Sequence, residues 1–112
     1  MDCIFCKIAN KEIPASVVYE DDKILAFKDL EPVAPKHVLI IPKKHIDSAN
    51  NINEGNSEII SHIFKCIPKI ASMLDLKNGF RIINNCGADG GQTVNHIHFH
   101  LIGGKKLGWP PC

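Results

Sequence analysis

The sequence lacks several features that would place the protein in a definite class at once. It has no apolar run approaching the roughly 20 residues of a transmembrane helix. Its first residues lack the basic and then apolar layout of a signal peptide. Its net charge is only +1 with histidine neutral, so no electrostatic basis exists for binding nucleic acid or an anionic membrane. We therefore expect a cytoplasmic protein with neither nucleic acid nor a membrane as partner.

The amounts of cysteine and of apolar residues bound the remaining possibilities. Five cysteines are an odd number, and without an export signal they are expected to be reduced thiols or metal ligands. The chain has 112 residues, of which 45% are hydrophobic and 22% charged. This length and composition predict one globular domain, residues 1–112, that buries a core without disulfide bonds.

Hydrophobic periodicity predicts an α+β domain. An apolar pattern at three- and four-residue spacing over residues 60–74 predicts one amphipathic helix, with a kink expected at Pro68. Another short helical segment is predicted around residues 4–11. Strands are predicted at residues 16–19, 24–27, 37–42, 80–84 and 95–102. We expect the helices to pack on one face of an antiparallel sheet.

Three histidines alternate with large apolar residues in the last predicted strand. His96, His98 and His100 should therefore share one face, while the residues between them anchor the other. Imidazole serves as a nucleophile, as an acid or base, or as a metal ligand. Because same-face neighbours on a strand are about 6.6 Å apart, one metal ion can hardly bind all three. The pattern favours chemistry by imidazole, although three polar positions on a solvated strand would give the same alternation.

A glycine-rich segment, residues 87–93, leads directly into the histidine strand. Glycines let backbone amides approach an anion closely, and the hydroxyl of Thr93 can donate a hydrogen bond beside them. Alone, the segment is equally typical of an ordinary turn. It is not a Walker loop, because no Gly-Lys-Ser/Thr follows. Its position beside His96 points to binding of phosphate and attack at phosphorus.

Cys3 and Cys6 have the spacing of a zinc knuckle or of a redox pair. A redox pair is expected between a strand and a helix, and no strand is predicted before Cys3. A zinc site needs two more ligands, for which His45 and His96 are candidates. Two small thiols packed near the terminus remain an open alternative. Cys66 and Cys112 are interpreted as structural or incidental, and Cys86 stays unassigned.

The histidine segment resembles the histidine triad motif, in which three alternating histidines are followed by two apolar residues. The resemblance covers nearly the whole chain: residues 4–8, 29–37, 41–45, Asn85, residues 89–93, Gly103, Gly104, Trp109, Pro110 and Pro111. The Trp-Pro-Pro ending resembles the histidine triad nucleotide-binding branch more than the diadenosine-polyphosphate hydrolase branch. The resemblance implies a five-stranded antiparallel sheet with one main helix and a short N-terminal helix. It also implies a homodimer with a continuous ten-stranded sheet.

The resemblance further implies a hydrolase of purine nucleoside phosphoramidates, such as adenosine 5′-monophosphoramidate or aminoacyl adenylates. His98 would be the nucleophile that forms a nucleotidyl-histidine, with His100, His37 and Thr93 as its catalytic partners. The residues implied to bind a nucleotide such as AMP are Ile4, Phe5, Ile8, Phe27, Asp29, Leu30, Asn85, Gly91, Gln92, Thr93, His98 and His100. Family members commonly carry serine at the position of Thr93.

The resemblance also implies one structural zinc ion per chain, because some members bind zinc at positions that match Cys3, Cys6, His45 and His96. No catalytic metal is implied. Two alternatives to phosphoramidate hydrolysis remain open at this stage. One is hydrolysis of dinucleoside polyphosphates or nucleotidyl transfer, and the other is a nucleotide-binding regulatory module with incidental turnover.

Overall fold

The core of the structure is one antiparallel sheet with helices packed on its faces. The structure, a computed structural model, describes residues 3–111. The strands are β1 (Val17–Glu20), β2 (Ile24–Lys28), β3 (Lys36–Pro42), β4 (Phe80–Ile83) and β5 (Phe99–Gly103), in the spatial order β1-β2-β3-β5-β4. The helices are α1 (Ile4–Ala9) and α2 (Ser57–Met73), with a 3₁₀ turn at Ala49–Asn51. This architecture confirms the predicted α+β class and the five-stranded sheet.

The central strand β3 is buried on both faces, as predicted, and its alternate residues belong to two separate clusters. Val38 and Ile40 pack with the apolar side of α2, whereas Leu39 and Ile41 pack with α1. This division follows from the two-residue period of a strand, which sends successive side chains to opposite faces. The long helix therefore covers one face of the sheet and α1 partly covers the other, so the expectation that the helices pack on one face was wrong.

Helix α2 is amphipathic and continues through Pro68 to Met73. It starts at Ser57, three residues before the predicted segment. Its buried positions Ile63, Ile67 and Ile70 recur at three- and four-residue spacing and face the sheet. Within residues 3–111, no helix combines the length and the apolarity needed to cross a membrane.

The predicted strand over residues 95–102 is wrong in its first half, because β5 begins only at Phe99. Pairing with β3 runs as far as Phe99 opposite Ile40. Further pairing would bring the chain to Pro42, which has no amide to donate. The amide of Ile97 instead donates to the backbone oxygen of Ile46, at 2.6 Å. The alternation of sides nevertheless persists, since Ile97 and Phe99 both join the core beneath α2.

Candidate functional site

His98 lies immediately before β5 and is 4% exposed. Its ring Nδ1 is 2.7 Å from the backbone oxygen of His96. Because a carbonyl oxygen only accepts hydrogen bonds, Nδ1 is the nitrogen that carries the proton of the neutral ring, and Nε2 keeps its lone pair. The ring of Phe5 packs against it nearly perpendicularly, with centroids 5.1 Å apart. The side chain is thus held with Nε2 as a potential nucleophile.

In His100 a chain of hydrogen bonds places the ring proton on the other nitrogen, Nε2. The backbone amide of Val33 donates to Nδ1 of His37 at 3.1 Å, so Nε2 of His37 carries that ring's proton. Nε2 of His37 lies 2.9 Å from Nδ1 of His100 and 3.2 Å from a carboxylate oxygen of Asp29. Nδ1 of His100 therefore accepts, and its Nε2 carries a proton that can be donated to a ligand.

The electrostatics of this pair keep both rings neutral near pH 7. Burial, together with the charges of His98 and His37, lowers the pKa of His100 to about 4, although the Asp29 carboxylate opposes this shift. Burial also lowers the pKa of His37, although the nearby Asp29 carboxylate opposes this shift. Neutral rings have one donor and one acceptor nitrogen each, which is the condition for the relay from Val33 to His100.

A cavity of about 290 Å³ opens in front of these histidines. One wall is apolar and is built from α1 and β2, and the opposite side holds His98, His100 and Thr93. A larger groove of about 640 Å³ lies at residues 75–79 and 104–106, and no histidine or cysteine is among its lining residues. We therefore take the smaller cavity, where an apolar wall meets convergent polar groups, as the candidate active site.

A second cluster joins Cys3 and Cys6 to His45 and His96. Nδ1 of His96 is 3.3 Å from Sγ of Cys3 and 3.5 Å from Sγ of Cys6, and Sγ of Cys6 is 3.2 Å from Nδ1 of His45. A tetrahedral zinc ion, with bonds of about 2.0–2.1 Å to nitrogen and 2.3 Å to sulfur, sets sulfur–nitrogen separations of about 3.5 Å. The four ligand atoms all lie within 4.8 Å of one another. The cluster fits a metal ion, as predicted.

The hydrogen bonds behind the two imidazoles give an independent reason for a cation here. Nε2 of His45 is bonded to a carboxylate oxygen of Asp47 at 2.6 Å, and Nε2 of His96 to the backbone oxygen of Pro42 at 2.8 Å. Both Nε2 atoms must donate, so in the neutral rings both Nδ1 lone pairs face each other, 3.2 Å apart. A metal ion removes that repulsion, and zinc-bound histidines usually have such an outer hydrogen bond.

Comparison with known proteins identifies the family of this chain. The HIT domain family profile matches residues 10–107. The chain belongs to the HIT family. It is 46% identical over 98% of its length to an uncharacterized HIT-like protein of Synechococcus elongatus, covering 96% of that protein.

Solved structures of HIT proteins are equally similar to this HIT domain. A HIT family hydrolase from Legionella pneumophila has a TM-score of 0.96 and 50% identity, with 99% of this chain and 100% of that chain covered. A histidine triad protein from Clostridium difficile has a TM-score of 0.93 and 59% identity, with 96% of this chain and 95% of that chain covered. The likeness therefore extends over nearly the whole chain.

Most of the residues expected to bind nucleotide come together around the cavity of this HIT domain. The cavity is lined by Ile4, Phe5, Ile8, Phe27, Asp29, Leu30, Thr93, His98 and His100. His37 stands behind His100 and contacts it directly. The cysteines and histidines expected to bind zinc also converge, whereas Cys86 is exposed and Cys112 lies outside the described residues.

Three expected phosphate ligands are not among the described residues that line the cavity. Nδ2 of Asn85 donates to the backbone oxygen of Gly90, at 2.6 Å. Gln92 accepts from the amide of Gly87 and donates to the backbone oxygens of Asp47 and Val94. Gly91 has a φ of 79°, a left-handed conformation that favours glycine. These side chains and this glycine shape the loop in the structure.

Sequence reasoning missed several contributors to the site. Asn84 donates from Nδ2 to the backbone oxygen of His98, at 2.9 Å, and so helps to position the histidine segment. Leu39 lines the cavity and could have been found, because alternation along β3 puts it on the same face as His37 and Ile41. The remaining lining residues are Ile13, Pro14, Ala15, Ser16, Lys28 and Val94. Most of them lie in loops, where no periodicity marks the side that faces the cavity.

Proposed function

We propose that this HIT domain hydrolyses nucleoside phosphoramidates through a covalent nucleotidyl intermediate on His98. The observation that carries the proposal is the pair of opposite tautomers in neighbouring rings, whose centroids are 5.2 Å apart. His98 offers a lone pair on Nε2, whereas His100 offers a proton on Nε2. A nucleophile beside a hydrogen-bond donor is the arrangement that attack at a charged phosphoryl group requires.

The proposed reaction has two balanced steps. Nε2 of His98 forms a bond to the α-phosphorus while the P–N bond breaks, and the leaving amine gains a proton that the hydroxyl of Thr93 relays from solvent. Water then attacks phosphorus, releases a proton to solvent and frees Nε2, which gives the nucleoside monophosphate. Throughout, the Nε2–H of His100 donates to a non-bridging oxygen and offsets its developing charge.

The dimensions and polarity of the cavity support a mononucleotide as the bound product. A volume of about 290 Å³ is near the lower end for small-molecule sites, about 300–1,000 Å³, and suits one nucleoside monophosphate. The purine is proposed to lie against the apolar wall of Phe5, Ile8 and Phe27. Asp29 is proposed to accept hydrogen bonds from the ribose hydroxyls.

The glycine-rich loop is proposed to contact phosphate through its backbone amides and not through the side chains of Asn85 and Gln92. We infer that Asn85 and Gln92 hold the loop so that its amides face the phosphate, because their polar groups are already bonded within the loop or to its neighbours. Thr93 lines the cavity itself, and its hydroxyl is proposed to lie beside the leaving group. In this proposal Asn85 and Gln92 shape the loop, and Thr93 contacts the reacting group.

Zinc at Cys3, Cys6, His45 and His96 is proposed to be structural. Two thiolates and two imidazoles fill all four positions of a tetrahedral ion, so no position remains for substrate or for an activated water. When bound, the ion would neutralise the thiolates and tie α1 to the segment that precedes β5. That segment carries His98, whose orientation depends on the backbone oxygen of His96.

A homodimer through the β4 edge is proposed to extend the sheet to ten strands. The β1 edge is interrupted by a bulge near Val17 and bears the Lys11–Glu20 ion pair, features that discourage strand pairing. On β4, by contrast, the apolar Phe80 is 41% exposed. Phe64 of α2, which packs on Phe99, is also exposed nearby. Light scattering should give twice the monomer mass of 12.4 kDa.

The covalent intermediate is the step that tests the proposed function. We expect quenching in alkaline denaturant, in which a histidine–phosphorus bond is stable, to trap AMP on His98 during turnover of an adenosine phosphoramidate, with the position located by peptide mass spectrometry. His62 lies on α2, away from the cavity residues, so His62→Asn is the matched control and should trap the same adduct. Full turnover with no protein adduct at any quench time would contradict the covalent route.

A further inference from the structure

A third group of ligand-type side chains lies on the face of the sheet that α2 covers. Asp21 is in the turn between β1 and β2, and His62 and Cys66 are one helical turn apart on α2. Oδ2 of Asp21 is 2.7 Å from Nε2 of His62, and Sγ of Cys66 is 3.6 Å from the same nitrogen. The HIT reaction proposed above uses none of these groups.

The geometry is wrong for a catalytic relay. In a cysteine–histidine–aspartate relay the carboxylate and the thiol bond to different ring nitrogens, so that a proton can pass through the imidazole. Here Asp21 and Cys66 both approach Nε2 of His62. Oxygen, nitrogen and sulfur thus converge toward one point, with all three atoms within 4.8 Å of one another. Convergence of this kind is typical of chelation.

The oxygen ligand of this group is ionised and well oriented. Burial raises the pKa of Asp21, but hydrogen bonds from His62 and from the amides of Lys23 and Ile24 outweigh it and hold the pKa well below its usual range. Tyr19 also donates its hydroxyl to Oδ2, at 3.0 Å. Outer hydrogen bonds of this type orient carboxylate ligands in metal sites. Cys66 is buried, whereas the side chains of His62 and Asp21 are 28% and 21% exposed and leave a route from solvent.

We propose that Asp21, His62 and Cys66 bind a divalent transition-metal ion such as Zn²⁺ or Co²⁺, separately from the cysteine pair near the N-terminus. The nitrogen–sulfur separation of 3.6 Å matches the about 3.5 Å that a tetrahedral ion sets. The oxygen–nitrogen separation of 2.7 Å must widen by about 0.6 Å as the metal replaces the shared proton. That proton moves to Nδ1 of His62, the Cys66 thiol proton leaves to solvent, and water completes the coordination.

Cobalt titration tests this site in the full-length protein. The cysteine-pair site is first filled with one equivalent of Zn²⁺, verified by elemental analysis, and Co²⁺ is then added. We expect one Co²⁺ per chain with a thiolate-to-cobalt charge-transfer band. Cys66→Ser should abolish the band, and His62→Asn should weaken binding at least about tenfold. Tyr19→Phe, which removes the hydroxyl that donates to Asp21 and contacts the Cys66 thiol, should weaken it by about tenfold and no more than His62→Asn does.

Two controls keep the result decisive. Cys86→Ser should retain the band, because Cys86 is exposed and lies far along the chain from α2. His62→Asn changes a partly exposed side chain, so it remains informative if Cys66→Ser fails to fold. No band in the zinc-filled wild type, or a band that persists in a folded His62→Asn variant with unchanged affinity, would overturn the proposal.

Discussion

His96 and His98 are two residues apart, yet the protein holds their rings by opposite nitrogens. His96 donates from Nε2 to the backbone of Pro42, which leaves Nδ1 to face Cys3 and Cys6. His98 donates from Nδ1 to the backbone of His96, which leaves Nε2 for the cavity. The difference shows how one side-chain type can be prepared for the role of a ligand or of a nucleophile. The choice depends on which nitrogen a backbone oxygen occupies.

The two clusters are also connected through one peptide group. The backbone oxygen that sets the His98 ring belongs to His96, whose own ring lies in the metal cluster. Loss of the metal is therefore expected to affect His98 through the position of that backbone rather than through electrostatics. Catalysis and stability should respond differently when each cluster is disrupted, and this expectation can be tested one cluster at a time.

The largest effect is expected when His98 is replaced. His98→Ala removes the nucleophile and should lower kcat by several orders of magnitude, as loss of a covalent nucleophile does in other hydrolases. AMP affinity should change little, because the apolar wall remains. Stopped-time assays and calorimetric titration with AMP measure the two quantities. A His98→Ala protein with near-normal kcat would show that His98 is not the nucleophile and that its cluster is not distinguished from the cysteine-containing cluster by covalent catalysis.

Removal of the metal should lower the stability of the protein much more than its kcat. Chelation, or Cys3→Ser together with Cys6→Ser, should lower the free energy of unfolding by about 4 kcal/mol if zinc is present at 1,000 times its Kd. We expect kcat of the folded fraction to fall far less. Urea unfolding monitored beside initial rates checks both, and Cys86→Ser is the matched cysteine control. Equal losses of kcat and stability would show that the metal cluster acts directly in catalysis.

Part of this comparison could be predicted from the sequence. The alternation at His96, His98 and His100 correctly predicted opposite faces for histidines and apolar residues, because side-chain direction depends only on local backbone period. The place where β5 stops pairing with β3, at Phe99 opposite Ile40, could not be predicted, because it depends on the register between distant segments. The tautomers depend on the backbone oxygens of individual residues, and sequence patterns carry no information on where such an oxygen points.

The residues expected to bind nucleotide are likewise only partly predictable from the sequence. The expected residues of α1 and β2 do line the cavity, because each lies in a regular element with a clear inner face. Gln92 was expected to contact phosphate, yet its side chain bonds to Gly87, Asp47 and Val94. A polar side chain in a loop has many potential partners. Only the loop's three-dimensional path selects among them.

The hydrogen-bond chain behind His100 is expected to contribute a smaller effect on rate. His37→Phe keeps a ring but removes both nitrogens, so nothing would fix the proton on Nε2 of His100. We expect kcat to fall by about 10²-fold, the cost of one donor to a developing oxyanion. The rate on a good substrate, with AMP affinity as the folding control, measures this. Wild-type kcat in His37→Phe would mean that His100 needs no partner to orient its proton.

Acid should destabilise the catalytic cluster even without metal. The unfolded chain protonates His100 near its ordinary pKa of about 6.5, whereas the folded protein resists until about 4. The unfolded state therefore binds more protons as pH falls through this window, and the free energy of unfolding decreases by up to about 1.4 kcal/mol per pH unit. Urea unfolding should be measured between pH 6.5 and 4 in a Cys3→Ser, Cys6→Ser background, which removes the metal ligands, with and without His100→Asn. The free energy of unfolding should fall more steeply with decreasing pH in the protein that keeps His100. Parallel pH profiles would mean that His100 titrates normally.

The smallest effect is expected at Thr93, whose hydroxyl is proposed to protonate the leaving group and not to assist the nucleophile. Thr93→Val keeps the shape of the side chain but removes its hydroxyl, and Thr93→Ser keeps the hydroxyl but removes the methyl group. Because a departing alkylamine needs a proton, Thr93→Val should slow phosphoramidate turnover about tenfold or more, whereas an ester with an acidic phenol should lose less than about threefold. Thr93→Ser should retain most of both activities. An equal loss for both leaving groups in Thr93→Val would place Thr93 in phosphate binding and assign the amine's proton to another group.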